Sequence, residues 1–382
     1  MLIQEICKLN ENYNEIIIGA GLIGLKTAQD IKKTFPENKI LFLDIKTPEN
    51  LKELNKIGDA FIIHWGEKEF MKEVSKRIDE KAKIYICINT KGNKEEDLLF
   101  AGLINKYFSN NPIVVRSTFD VSFFYGIKSK SKAVVPERYS PGDNVNFKLT
   151  YWSTADLKNY IEKIFGAEYS DFPEAVILAK IFENTQRYIL ISLMNSFKMQ
   201  IFNQKVFEET IRICELKDNF VKGIHPGLIG GECIGVDNKY LSGPVESLWK
   251  AADNINEDYY QIILNDLKKT IFEFLDKTDN KGKVVFIGGE YKNNVSGKVA
   301  LKNSPKYQMI LELKNTLESL FRNPPKIINT VSHKTSEDVS YELSNIINFG
   351  DENVMVVVFT YHQYIIDEIK KIKDKLKIIY LN

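Results

Sequence analysis

The sequence predicts an α/β protein with two sheet-forming units on either side of a helical middle, and three observations predict it. Near the N-terminus an apolar strand runs into a glycine-rich turn, a helical pattern and a second strand that ends on an acid. In the middle, residues 172–206 read as one long helix. Beyond a polar break at 276–283, strand and helix patterns alternate again. A chain of 382 residues has room for two or three domains. The expected divisions are 1–168, 169–275 and 283–382.

The first element is the most specific. Ile16 to Ile18 form a strand that runs into Gly19-x-Gly21-x-x-Gly24, with Leu22 and Ile23 between the last two glycines. In a dinucleotide-binding turn, the first glycine reverses the chain and the second lets a pyrophosphate approach. The third packs helix on strand. The phosphates then rest on the helix N-terminus. Asp44 ends the next strand, where its carboxylate accepts both ribose hydroxyls and repels a 2′-phosphate. This identifies a Rossmann domain for NAD. Short strands at Ala60–His64, Ile84–Ile88 and Ile113–Arg116 alternate with helical stretches at Glu69–Lys81 and Asp97–Phe108, as in a parallel sheet. Ligands gather at the carboxyl ends of such strands, which here carry Thr90 and Ser117-Thr118. Strand-end hydroxyls also satisfy local backbone, so both readings stand.

The stretch 172–206 is apolar nearly all round, the pattern of a buried helix. Lys180, Glu183, Asn184 and Arg187 recur on it at i, i+3, i+4 and i+7, so they share one stripe. Buried polar groups need partners, either an ion-pair ladder or a ligand. Glu246–Ala252 and Tyr259–Phe274 follow as two amphipathic helical segments.

Between the long helix and these two segments lies HPGLIGGECIGVDNKYLSG, His225 to Gly243. It presents Cys233 just after a Gly230-Gly231 turn and four residues before Asp237. A thiol with a carboxylate one helical turn away suits a nucleophile and a group that handles its proton or a water. A buried cysteine acting as a small hydrophobe is the other reading.

Charge narrows the partners. With 52 basic and 51 acidic residues the net charge is +1, which gives no reason to expect nucleic acid or an anionic membrane. Four cysteines (Cys7, Cys87, Cys214 and Cys233) form no CxxC pair, and only four histidines are present, so no metal centre is expected. The absence of an apolar signal core or a bilayer-length apolar run suits a reducing cytoplasm.

The cysteine stretch resembles the Pro-Gly-x-x-Gly-Gly-x-Cys-x-x-x-Asp signature of the nucleotide-sugar 6-dehydrogenases, whose members oxidise a primary alcohol of a UDP-sugar to a carboxylate with two NAD+. The resemblance implies thiohemiacetal and thioester chemistry on Cys233 and water handling by Asp237. Lys180 and Asn184 match the family's Lys-x-x-x-Asn, which holds the substrate oxygen. Val134 to Asp143 resembles its Pro-Glu-Arg element, which implies that Glu137 assists thioester hydrolysis with Arg138 beside it. Thr118 matches the threonine that holds the hydrolytic water, and Thr90 falls in the coenzyme loop. Gly230 and Gly231 then border the substrate. Glu183 and Arg187 are read as structural.

The resemblance also implies a C-terminal Rossmann-like nucleotide-sugar domain. Its expected elements are strands at Val284–Gly288, Val354–Phe359 and Ile378–Leu381, and helices at Pro305–Phe321 and Ile365–Lys373. Tyr291-Lys292 and Ser304-Pro305 match its landmarks. Lys302 stands where an arginine is usual, keeping the charge but losing the bidentate fork on phosphate. The His-Pro-Gly-Leu-Ile-Gly-Gly and Val236-Asp237 wording is nearer the N-acetylhexosamine branch, which implies UDP-N-acetylmannosamine or UDP-N-acetylglucosamine, with UDP-glucose as the alternative. A silent NAD-binding scaffold and a two-electron hydroxyacid-type dehydrogenase are the readings from other classes. A long apolar helix that neighbours must cover implies a homodimer.

Overall fold

The computed structural model describes residues 13–45, 51–62, 72, 74–76, 78–138, 148–201, 203–231, 234–290, 301, 304–320, 327–330, 353–360, 367 and 377–381. The chain divides into two compact units. One comprises Met1–Asn184 with Val236–Leu241, and the other Thr185–Gly235 with Ser242–Asn382.

The first unit opens with β1 (Glu15–Ile18), α1 (Leu22–Thr34), β2 (Ile40–Asp44), α2 (Leu51–Leu54), β3 (Asp59–Ile62) and β4 (Lys83–Ile86). It continues through α3 (Lys94–Phe108), β5 (Ile113–Val115), α4 (Val121–Gly126), β6 (Lys132–Val134), β7 (Thr150–Ser153), α5 (Ala155–Phe165) and β8 (Glu168–Tyr169). The sheet order is β3-β2-β1-β4-β5-β6-β7-β8. Its first six strands are parallel and follow the doubly wound dinucleotide-binding order. β7 then turns antiparallel to β6.

Unbroken apolar strands make sense because this sheet is covered on both faces. Ile16, Ile18, Ile84, Ile86, Ile113 and Val115 join one core, while their neighbours Ile17, Tyr85 and Val114 join the other. That is the period-2 alternation of a strand buried on two sides. α3 starts three residues before the expected Asp97. Asn93 caps it, accepting from the N–H groups of Glu95 (3.0 Å) and Glu96 (3.3 Å), and three acids in the first turn favour its N-terminus. Of the expected helix Glu69–Lys81, residues 72 and 74–76 are helical, 78–81 are not, and the others lie outside the described residues.

α6 (Pro173–Gln200) carries the polar stripe, and the division between the units falls within it, after Asn184. The expectation of one buried helix over 172–206 needs two corrections. Asn203 starts a separate helix, α7 (Gln204–Cys214), by accepting from the Val206 N–H at 3.2 Å. α6 also exposes Phe182, Leu193 and Phe197. After a single turn, α8 (Ile234–Asp237), comes α9 (Pro244–Lys277). At 34 residues α9 is longer than α6, with 28, and joins the two segments expected on either side of Asp253–Asp258.

The second unit's sheet is formed by β9 (Lys283–Ile287), β10 (Ile327–Thr330), β11 (Val354–Val358) and β12 (Lys377–Tyr380), with α10 (Pro305–Leu320) after β9. The strands are all parallel, in the order β10-β9-β11-β12. Leu264, Leu267 and Ile271 of α9 and Met309 and Leu313 of α10 share a core with Val284, Phe286, Met355 and Val357. The expected helix Ile365–Lys373 lies outside the described residues except Asp367. No helix among the described residues is long and apolar enough to cross a membrane.

A Cβ at Gly24 would lie 2.0 Å from the Gly19 carbonyl oxygen, so the helix meets its strand too closely for any side chain. Gly24→Ala should therefore destabilise the protein by about 2–3 kcal/mol. Gly102→Ala, with nothing within 4 Å of the added carbon, should not lower stability. Thermal melts of the two variants check this, and a Gly24→Ala protein melting with the parent contradicts it.

Candidate active site

Two groups of residues come together in the first unit, a glycine cradle at the start of α1 and a polar cluster on α6. Gly19 has φ +97°, and a Cβ there would lie 2.3 Å from the Cys87 carbonyl oxygen. Only glycine fits both conditions. Gly21 caps α1, with nothing within 4 Å of an added Cβ, and no acid occupies the helix's first turn. Open space at a helix N-terminus with no acid in its first turn fits a pyrophosphate. Leu22 is exposed and Ile23 half-buried. Asp44, at the end of β2, accepts the Ala20 N–H at 2.7 Å through one carboxylate oxygen and so braces the glycine turn.

The ends of β4 and β5 carry the next residues. Thr90 and Thr118 are both half-buried there. Ser117 instead serves the backbone, donating to the Ile88 carbonyl at 2.6 Å.

The second group is built around Asp237, which is 2% exposed. The Asn184 side-chain amide donates to its carboxylate at 2.5 Å, and the Lys180 ammonium acts on it electrostatically. Lys180 is itself buried. Helical spacing thus brings the ammonium and the amide to one carboxylate from positions one turn apart on α6. Burial pushes the Asp237 carboxyl up to about 6, against the opposing pull of Asn184 and Lys180. A carboxyl tuned toward neutrality beside a buried cation suits proton transfer.

Glu137 is buried and forms an ion pair with Arg116, which has no exposed surface. Its other oxygen accepts the Arg138 N–H at 2.9 Å. Arg116 also donates to Thr27 (3.2 Å) and the Val135 carbonyl (2.8 Å) and lies over the Phe165 ring. Glu137 is therefore held rigidly at the end of β6. Arg138 turns to Glu183 of α6, 3.0 Å away, so Glu183 has the structural partner expected of it. Arg187 is exposed.

In the second unit, Gly230 and Gly231 are half-buried, and Gly231 takes φ +100°. Cys233, Lys292 and Lys302 lie outside the described residues.

Three further residues of the first unit escaped the sequence reading. Arg116 entered it only as the last residue of an apolar strand, with no role of its own. Tyr240 and Asp97 hydrogen-bond at 2.7 Å, and both are buried. A separation of 143 positions leaves no periodic signal for that pair.

The UDP-glucose/GDP-mannose dehydrogenase family, central domain, matches residues 174–258. A UDP-N-acetyl-D-glucosamine 6-dehydrogenase of Salmonella typhi is 29% identical over 48% of this chain and 46% of its own length. The chain thus spans about half the length of that relative. A UDP-N-acetyl-D-mannosamine dehydrogenase of Methanococcus vannielii is 26% identical over 94% of this chain and 90% of its own. Among solved structures, a UDP-D-ManNAc dehydrogenase from Pyrococcus horikoshii is similar with TM-score 0.65 at 19% identity, covering 96% of this chain and 95% of that one. The UDP-N-acetyl-mannosamine dehydrogenase of Staphylococcus aureus gives TM-score 0.65 at 17% identity, over 96% and 94%. At these identities the likeness establishes the fold, a mixed α/β architecture with Rossmann-like domains.

The buried carboxyls set a pH dependence of stability. Burial raises Asp97 as well as Asp237 to about 6, against about 4 for an unfolded carboxyl. Between those values the folded state holds protons that the unfolded chain has released. Stability supplied by the two groups is therefore present below about pH 4 and lost as pH rises to about 6. Melting temperatures at pH 4.5 and 6.5 should show a smaller difference in Asp237→Asn than in the parent. An unchanged difference would place the titration elsewhere.

Proposed function

We propose, from the premise that the chain carries a UDP-glucose/GDP-mannose dehydrogenase family domain, that it is an NAD-dependent UDP-sugar 6-dehydrogenase. It converts the C6 hydroxyl of a UDP-N-acetylhexosamine to a carboxylate, with UDP-N-acetylmannosamine and UDP-N-acetylglucosamine as the favoured substrates and surface-polysaccharide precursors as the products. The observation that carries this reading is the convergence of Lys180 and Asn184 of α6 on the buried carboxyl of Asp237.

The cradle at Gly19, Gly21, Leu22, Ile23 and Gly24, with Asp44, Thr90 and Thr118, is assigned to NAD. When bound, NAD+ takes the hydride from the sugar's C6 carbon in each of two oxidations. The chain's own residues do the rest. Asp237 holds a water that receives the hydroxyl proton. The Cys233 thiolate adds to the aldehyde carbon, forming a C–S bond, and Lys180 and Asn184 donate to the resulting oxyanion. After the second oxidation, a water held by Thr118, Glu137 and Asp237 attacks the thioester. The C–S bond breaks, the carboxylate leaves and the thiolate returns. The sum is one alcohol, one water and two NAD+ giving one carboxylate, two NADH and three protons.

Arg138, Gly230, Gly231, Lys292 and Lys302 are assigned to the substrate, with residues 283–382 taking its nucleotide half. Support comes from the carboxyl ends of β9 and β11, which lie side by side where the strand order reverses. A Cβ at Gly288 would lie 2.8 Å from the Thr360 backbone nitrogen, and Ser304, just before α10, donates to the Gly289 carbonyl at 2.6 Å. The remaining domains of the proposal are 1–168 for NAD and 169–275 for the helical middle with its cysteine loop. A cytoplasmic setting suits a free thiolate. A homodimer would cover the exposed Leu193, Phe197, Val206 and Ile213 of α6 and α7. Sedimentation of a monomer at micromolar concentration would remove the dimer from the proposal.

NADH formation with UDP-N-acetylmannosamine, UDP-N-acetylglucosamine and UDP-glucose in parallel tests the whole reading. Two NADH per sugar are expected, lost at least about a hundredfold in Cys233→Ser. One NADH per sugar would mean release at the aldehyde. NAD+ binding without NADH from any sugar would favour the scaffold.

A further inference from the structure

The turn that carries Asp237 belongs to the first unit although the residues on both sides of it belong to the second. Something must hold those six residues in place. Tyr240, three residues beyond Asp237, is 4% exposed and donates its hydroxyl to Asp97 of α3 at 2.7 Å. Its ring joins the core formed by Ile86, Ile104, Val176 and Ile181. Gly92, in the loop after β4, takes φ +71°, and a Cβ there would lie 2.7 Å from the Lys239 Cβ and 2.8 Å from the Val236 carbonyl oxygen. Loop and turn therefore pack at backbone distance.

We propose that Tyr240 is a positioning residue, anchored by Asp97, that locks the Asp237 turn onto the loop holding Thr90 and so fixes the Asp237 carboxylate against Asn184 and Lys180. This rests on the function proposed above. Tyr240 touches no reacting atom. Its hydroxyl is held by Asp97, and its backbone lies less than one helical turn from Asp237. Loosening it moves the carboxylate while leaving the sheet, the glycine cradle and α6 untouched. A misplacement of about 1 Å at a proton-handling group lowers rates on the order of a hundredfold. Hydroxyl loss, rather than loss of the ring, is the relevant change.

The test compares Tyr240→Phe, Asp97→Asn and Asp97→Leu in the full chain, with two readouts. In steady-state NADH formation, Tyr240→Phe should lower kcat by about ten- to a hundredfold, with KM for NAD+ changed less than about threefold. Asp97→Asn keeps an acceptor for the hydroxyl and should stay within about threefold of the parent, whereas Asp97→Leu should match Tyr240→Phe. In hydrogen exchange read by mass spectrometry, peptides covering 234–241 should exchange faster in Tyr240→Phe and Asp97→Leu but not in Asp97→Asn. Normal kcat and normal exchange in Tyr240→Phe would overturn the inference, as would a lower melting temperature with kcat unchanged. If the parent makes no NADH from any sugar, the proposed function has failed, and the exchange data alone decide whether Tyr240 holds the turn. Should Tyr240→Phe not fold, the Asp97 pair carries the same comparison.

Discussion

Everything proposed for this chain depends on a carboxylate kept out of water. Asp237 is 2% exposed, and its two named neighbours are an amide at 2.5 Å and a buried ammonium. A charged carboxylate in such a place is opposed by desolvation and favoured by the donor and the cation. Desolvation wins, which leaves the carboxyl at about 6. A group balanced there can give or take a proton at neutral pH without large driving force, as proton-transfer chemistry requires. The same burial explains why the turn 236–241 needs anchors of its own. An isolated single-turn helix has no stability in water, so tertiary contacts must supply it.

Around that carboxylate the first unit is organised by its parallel sheet. The fold brings the ends of β1, β4 and β5 to one edge, placing Gly19, Thr90 and Thr118 within a common region. The Arg116–Glu137 pair ties the end of β5 to the end of β6. Its buried guanidinium donates to Thr27 of α1, so the helix below the glycine cradle and the Glu137 segment share one polar network. Cys87 lies beside that network, and burial pushes its thiol up to about 12. Such a thiol is an inert packing group, unlike the exposed, electropositive surroundings a nucleophile needs. Among the cysteines, chemistry is assigned to Cys233 alone.

Strong periodic signals were legible, and long-range pairings were not. The glycine turn and Asp44 showed in sequence because each glycine answers a local steric demand, and Gly19 and Gly24 meet theirs at 2.3 and 2.0 Å. Lys180 and Asn184 showed because helical spacing repeats within four residues. Asp97–Tyr240 did not, since contact across 143 positions leaves no trace in either neighbourhood. The strands β6, β7 and β8 were missed for another reason. None of them contains three consecutive apolar residues, as β1, β4 and β5 do, so no apolar run marks them. α9 read as two segments because Asp253 to Asp258 is nearly all polar. In the structure Asp253 accepts the Tyr188 hydroxyl, and Asn256 bonds Asn195 at 2.8 Å and Ser192 at 2.9 Å. Polar residues that pack inward defeat a hydrophobic pattern.

The most direct measurement is the pH dependence of kcat for NADH formation by the parent and by Asp237→Asn, from about pH 5 to 8. The account predicts an acid limb in the parent with an apparent midpoint near 6, where the buried carboxyl gains its proton. In Asp237→Asn the limb should vanish and the residual rate run flat. A variant that keeps the parent's rate, or the same limb at the same midpoint, would contradict it, because the proton would then be handled by another group.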